Sequence, residues 1–177
     1  ISPLCCIISD NKPHFLGVRE ILKISTDNTK DLLKRELEIQ LTELEHQWHT
    51  ISLERIFIEN RIYRDIEEKT TWDDVISTIE NGLKPFKDRL KRDISVDDIK
   101  KLTEIPIRKI SKFDLDKVKE KLANIETNIE EVKNNLNHLV EYTIQYFTHL
   151  KKQYGKDKKR KTLIEEFDDL DLSLIHI

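Results

Sequence analysis

Two stretches of the chain repeat their apolar residues at alternating steps of three and four. In the first, Leu37, Leu41, Leu44, Trp48, Ile51, Ile58 and Ile62 keep the alternation, interrupted once at Arg55. In the second, Leu115, Val118, Leu122, Ile125, Ile129, Val132, Leu136, Leu139, Thr143, Tyr146 and Leu150 keep it without a break, and Asn, Glu and Lys fill the other faces. A mean step of 3.5 residues is the seam of a coiled coil. Neither Gly nor Pro occurs in residues 30–65. At about 1.5 Å per residue, two helices of ~35–40 residues would each be ~55–60 Å long. Neither buries its seam alone. The chain reverses between them, so each is the other's partner and the pairing is antiparallel.

The ends of the second helix carry signals of their own. Asp114 is a good N-cap, with Phe113 and Val118 placed as a hydrophobic staple. Lys151 and Lys152 suit the negative end of the helix dipole, and Gly155 suits a left-handed C′ position. The reversal is a compact insert. Thr71 with Asp74 starts a helix from Trp72 to Asn81, stopped by Gly82; Ser95 with Asp98 starts another that ends before Pro106. Ile105, Ile107 and Ile110 add an apolar cluster before the second long helix. Ahead of the first, an apolar run from Pro3 to Ser9, turn residues Asp10-Asn11-Lys12-Pro13, and His14-Phe15-Leu16 predict a hairpin or sheet edge.

The expected fold is mainly α: a long antiparallel two-helix coiled coil, a small helical head at its tip and a short β segment at the N-terminus. The divisions are 1–17 for the β region, 18–66 for the outgoing helix, 67–112 for the head, 113–155 for the returning helix and 156–171 for a basic-then-acidic exit segment. Residues 172–177 match one reading frame of a sequencing-library transposase adaptor and are read as adaptor sequence. The chain lacks methionine, and it reads as a piece of a longer protein at both ends.

Composition supports this picture. Three Gly, four Pro and 37% charged residues favour long solvated helices over an α/β globule. No apolar run approaches the roughly 18–20 residues of a membrane span, and no signal peptide is visible. The adjacent Cys5 and Cys6 are poorly placed for a disulfide and read as core thiols of a reducing compartment. A net charge of −3 leaves no global basic footprint for nucleic acid. The run Lys156-Asp157-Lys158-Lys159-Arg160-Lys161 is the one local patch; such a run is usually a solvated helix end, and Lys158, Lys159, Arg160 and Lys161 are the candidates for phosphate contact with DNA.

Candidate chemistry is sparse. His46 and His49 lie one turn apart with no third ligand and no HExxH pattern, so no metal is expected and both read as surface or seam-edge residues. His138 and His149 read as helix surface. Tyr63, Tyr142, Tyr146 and Tyr154 have no base or oxyanion arrangement near them, and Tyr146 fits the seam. The glycines are too far apart for a phosphate loop. No catalytic site and no bound cofactor are expected within this chain.

Glu104-Ile105-Pro106-Ile107-Arg108-Lys109-Ile110-Ser111-Lys112-Phe113-Asp114 is more particular than a generic coiled coil. It resembles the turn into the returning coil helix of bacterial type IIA DNA topoisomerase A subunits (DNA gyrase and topoisomerase IV), above all those of the Bacteroidetes type. Three further stretches resemble the same family in order. Asp10-Asn11-Lys12-Pro13-His14-Phe15-Leu16 looks like the end of its tower domain, and Leu53-Glu54-Arg55-Ile56-Phe57-Ile58-Glu59-Asn60-Arg61-Ile62-Tyr63 like the approach to its gate head. Tyr154-Gly155-Lys156 with Lys159-Arg160-Lys161-Thr162 looks like the helix exit of its cleavage core. Leu163 departs from the family, which commonly has an acidic residue there. The resemblance implies an ATP-dependent strand-passing isomerase, cytoplasmic and nucleoid-associated, that acts on double-stranded DNA as a homodimer with a B (ATPase) subunit. Mg²⁺ and ATP would be used through that B subunit, while the catalytic tyrosine would lie in a winged-helix domain outside this chain. This piece would be the coiled-coil arm and the dimerising exit gate. Phe57, Ile58, Ile105, Ile107 and Ile110 are the candidates for the head core and the dimer patch, two roles the sequence does not separate. What divides gyrase from topoisomerase IV, a C-terminal DNA-wrapping domain, is not in this chain. The rival reading is a non-enzymatic coiled-coil hairpin, as in chromosome-organising ATPases.

Overall fold

The computed structural model describes residues 5–9, 11–156, 158, 161 and 162. Lys159, Arg160, Leu163, the acidic stretch after it and the suspected adaptor residues lie outside the described residues. Among the described residues the order is β1 (Cys6–Ser9), β2 (Lys12–Phe15), α1 (Val18–Glu59), α2 (Ile62–Asp65), α3 (Trp72–Leu83), a 3₁₀ turn (Lys84–Arg89), α4 (Val96–Thr103), α5 (Ile107–Ser111), α6 (Leu115–Asn137) and α7 (Leu139–Tyr154). The fold is the expected one: a two-helix stalk, a helical head and a small hairpin.

The hairpin pairs Cys6 with Phe15 and Ser9 with Lys12, antiparallel. Asn11 turns it at φ 60°, a conformation asparagine tolerates well. The thiols are not core groups: Cys6 is exposed and Cys5 half-buried, because two four-residue strands have no second layer to bury them.

Helix α1 starts after Gly17, whose N–H donates to the Glu20 carboxylate (3.0 Å). It packs along α6 and then α7. Two links to α6 fix the direction, and a third joins α1 to α5 in the head. Glu54 pairs with Lys109 (2.7 Å), Trp48 Nε1 donates to Glu126 Oε1 (2.8 Å), and Glu45 pairs with Lys133 (3.0 Å). As the number falls on α1 it rises on the partner, so the helices run antiparallel. The seam cluster is Trp48, Leu122, Ile125 and Ile129, with Leu41, Leu44, Ile51 and Val118 against it.

Four local expectations differ from the fold. The outgoing helix does not reach residue 66. It ends at Glu59, and Arg61 takes a left-handed turn (φ 54°) into α2. The returning helix is not continuous. His138 breaks the ladder at φ −116°, ψ 44°, where Asn134, Asn135 and Asn137 are poor helix formers that compete for the backbone. Beyond the break the seam fades: Thr143 is buried, whereas Tyr146 and Ile144 are exposed. Gly82 is not itself the stop: α3 runs one residue past it to Leu83, and an added Cβ at Gly82 would sit 3.0 Å from Ile62 Cγ2. Gly155 is right-handed (φ −81°), not left-handed.

The head closes around the end of α1. Leu53, Ile56, Phe57 and Ile58 cover several faces of that helix and form one core with Ile62, Ile79, Leu83, Ile99 and Leu102. A helix buried on one stripe along the stalk is therefore buried on most sides at its tip.

Candidate functional site

The head is assembled from short helices; α3 and α4 are started by the residues the sequence marked, as is the stalk helix α6, whereas α2 and α5 have no side-chain cap. Thr71 accepts from the Asp74 N–H to open α3, and Asp114 accepts from the Asp116 and Lys117 N–H groups to open α6. Ser95 and Asp98 form a full capping box at α4: Ser95 Oγ accepts from the Asp98 N–H (3.2 Å), and Asp98 accepts from the Ser95 N–H (3.0 Å). Phe113 packs on the head core while Val118 packs on the stalk seam, so the two staple residues serve different clusters.

Asp98 does more than cap. It is buried, and both its oxygens take Arg92 in a bidentate pair (2.8 Å each) while Ser95 Oγ adds a third side-chain bond (2.8 Å). These bonds hold its carboxyl well below the usual carboxylate range despite burial, which pushes the other way. His49 of α1 faces this cluster. It is 1% exposed rather than on the surface, its Nε2 lies 3.6 Å from Asp98 Oδ2, and neither ring nitrogen has a hydrogen-bond partner. Beside it, Lys91 Nζ stands 4.6 Å from the centre of the Trp48 ring, a cation–π contact between the α4 connector and the stalk.

The structure sorts the five apolar candidates. Phe57 (1% exposed) and Ile58 are head core, and Phe57 also meets the Tyr63 ring. Ile105 and Ile110 are half-buried against that core. Ile107 alone of the five points outward, 83% exposed on α5. Trp72 and Val96, which carry no signal of a surface role in the sequence, are the other large apolar side chains of the head that stand exposed. Each lies at the first position of its helix, so the cap that places the helix also turns the residue out. Of the basic run, Lys158 and Lys161 are exposed beyond α7.

A cleft of about 280 Å³ lies between α1, the 3₁₀ turn and α6. It is lined by Arg55, Arg89 and Lys119 with Glu59 and Glu126; its one hydroxyl is Ser52, while Glu59 is paired with Arg55 and Glu126 with Trp48. His46 is exposed and sits 3.2 Å from Thr50 Oγ1 on its own helix. Among the described residues no group of three or more His, Cys, Asp or Glu side chains is arranged to hold a metal. The head is thus an apolar assembly with outward-facing hydrophobic residues, held to its stalk by a buried polar cluster. Its geometry suits contact with another macromolecule.

Comparison with known proteins agrees with that geometry. Residues 1–151 match the family of DNA gyrase and topoisomerase IV A subunits. A relative, the A subunit of DNA topoisomerase 4 from Borreliella burgdorferi, is 29% identical over 164 residues, which is 93% of this chain and 26% of that protein. The chain therefore spans about a quarter of the length of the curated relative it matches. With a family match across both stalk helices and the whole head, the chain belongs to the family of DNA gyrase and topoisomerase IV A subunits.

Proposed function

We propose that this chain is the arm and dimerising exit gate of the A subunit of an ATP-dependent type II DNA topoisomerase. The observation that carries this reading is Ile107, a large apolar side chain 83% exposed on a short helix of the head. Folding of this chain gains nothing from leaving that side chain in water; a contact with a second copy would bury it. An isologous contact doubles such a residue across a two-fold axis, and Trp72 and Val96 add apolar area on the same head. The stalk suits the role of spacer. Between α1 and α6 its seam is satisfied within one chain, and two cross-helix links set its register.

The rest of the enzyme supplies the chemistry. In this reading the nucleophilic tyrosine lies elsewhere in the same polypeptide, ATP and Mg²⁺ act through the B subunit, and double-stranded DNA is the substrate. The enzyme works in the bacterial cytoplasm at the nucleoid. No helix among the described residues is long and apolar enough to cross a membrane. Family membership weighs against the rival reading of a non-enzymatic hairpin scaffold.

The test is oligomeric state. Light scattering on the 177-residue chain should show a concentration-dependent homodimer, and Ile107→Asp should give monomers, since an unpaired charge in an apolar contact can cost several kcal/mol. Circular dichroism of the variant should remain strongly helical, because Ile107 contributes to neither core cluster. An unmodified chain that stays monomeric at high concentration would defeat the gate reading.

A further inference from the structure

Buried polar groups are nearly always hydrogen-bonded, so a buried imidazole with two bare nitrogens calls for a reason. His49 projects from α1 where α4 seats against the stalk. Its nearest acceptor, Asp98 Oδ2, is 3.6 Å away, too far for a hydrogen bond but close enough for charge to be felt. That carboxylate is already engaged by Arg92, by the Ser95 hydroxyl and by the Ser95 N–H. The other charged groups nearby are Arg92 and Lys91 on the connector before α4, Lys91 lying over the ring of neighbouring Trp48, and His46 one turn back on α1. Adjoining clefts bring Lys101 of α4 and Lys121 of α6 beside His46, and Glu54 of α1 beside Asp98.

We propose that His49 is a proton-operated latch between head and stalk: neutral, it lets α4 seat on α1, and protonated, it loosens that seat. The charge balance supplies the reason. In the seated form one buried carboxylate is matched by one guanidinium. A proton on His49 adds a second cation to a site that water does not reach. Relief requires either that α4 lift and admit water, or that Asp98 release Arg92, whose half-exposed side chain is free to re-solvate. Either way the connector and α4 lose their hold on the stalk.

The direction of the response follows. Burial first, then Arg92, push the His49 pKa below its ordinary value of 6.5, and Asp98 opposes them less strongly. Between that ordinary value and the lowered one, the opened form binds more protons than the seated form. The seat therefore weakens as pH falls through this window and is unaffected above it. Each unit of depression is worth a factor of about ten in the seated-to-open ratio. None of this depends on the exit-gate reading.

Hydrogen exchange on the intact chain, corrected for intrinsic rates, tests the proposal between about pH 8 and about pH 5.5, the range in which only histidine ordinarily titrates. Protection of α4 should fall with acid by up to about tenfold per unit of depression, while the α6 segment around Ile125 and Ile129 holds its protection. In His49→Gln the fall should vanish. Nuclear magnetic resonance titration of the unmodified chain gives a second reading that needs no variant, and His49 should titrate below its ordinary value. Three results would overturn the latch: α4 protection that rises in acid, as a tightening His49–Asp98 pair would cause; an equal fall in His49→Gln; or a His49 that titrates at or above its ordinary value.

Discussion

Gly82 shows how a single position can work against local preference. Inside a helix, glycine costs up to about 1 kcal/mol relative to alanine, yet α3 carries one at its next-to-last position, where α2 crosses close beneath it. A Cβ there would lie 3.0 Å from Ile62 Cγ2. Ile62 is itself locked in the head core and has little room to give. Overpacking of that kind costs about 1–3 kcal/mol and outweighs the helix gain. Gly82→Ala should therefore lower stability by about 1 kcal/mol in urea unfolding, and a stabilised variant would mean that α2 yields. The sequence shows the glycine, and reading it as a helix stop is the natural inference when the second helix is unknown. Asp98 is half legible in the same way. Ser95 three residues earlier marks it as a capping-box residue, but its pairing with Arg92 and its place beside His49 have no local signature. His49 itself reads as surface along the chain, because the face it occupies is covered by a helix some fifty positions later.

Along the stalk, the heptad seam is sound where both helices are continuous. Ile125 and Ile129 are buried at its centre, with the Trp48–Glu126 link between them along α6 and the Glu45–Lys133 link one turn beyond. Ile129→Ala should cost about 2–4 kcal/mol in chemical unfolding, the usual effect of a cavity in a packed core. Ile144→Ala, on the exposed face of α7, should change stability by no more than about 0.5 kcal/mol. Equal losses at the two sites would mean that the lower stalk is packed against something other than α1. The break at His138 separates these regimes. It is not legible from periodicity, which registers apolar residues and passes over the three asparagines that weaken the helix between Asn134 and Asn137. The caps are more transparent: Thr71, Ser95 and Asp114 each open the helix the sequence assigns to them, since an N-cap acts on backbone groups two and three residues away.

Taken as one molecule, the chain should bind DNA only through unspecific phosphate contact. It carries a net charge of −3, and its one basic run lies past the end of α7. Neutralising Lys158, Lys159, Arg160 and Lys161 should flatten the salt dependence of any binding by up to ~0.9 per lost contact. With supercoiled plasmid, Mg²⁺ and ATP, the chain should neither relax nor cleave; protein-linked breaks would contradict the proposed division of labour. The stalk, its antiparallel reversal, the helix starts and the hairpin are all written in the sequence, because they rest on periodicity and on contacts within a few residues. Which head residues face inward is settled by three-dimensional packing alone. Phe57 and Ile58 continue the outgoing helix and could serve the head core or the dimer patch; the head folds back over them from several directions and makes them core. Ile107 lies three residues from Ile110 in the same apolar run and is left outside. Burial belongs to the meeting of distant segments, and a linear pattern records only that a side chain is apolar.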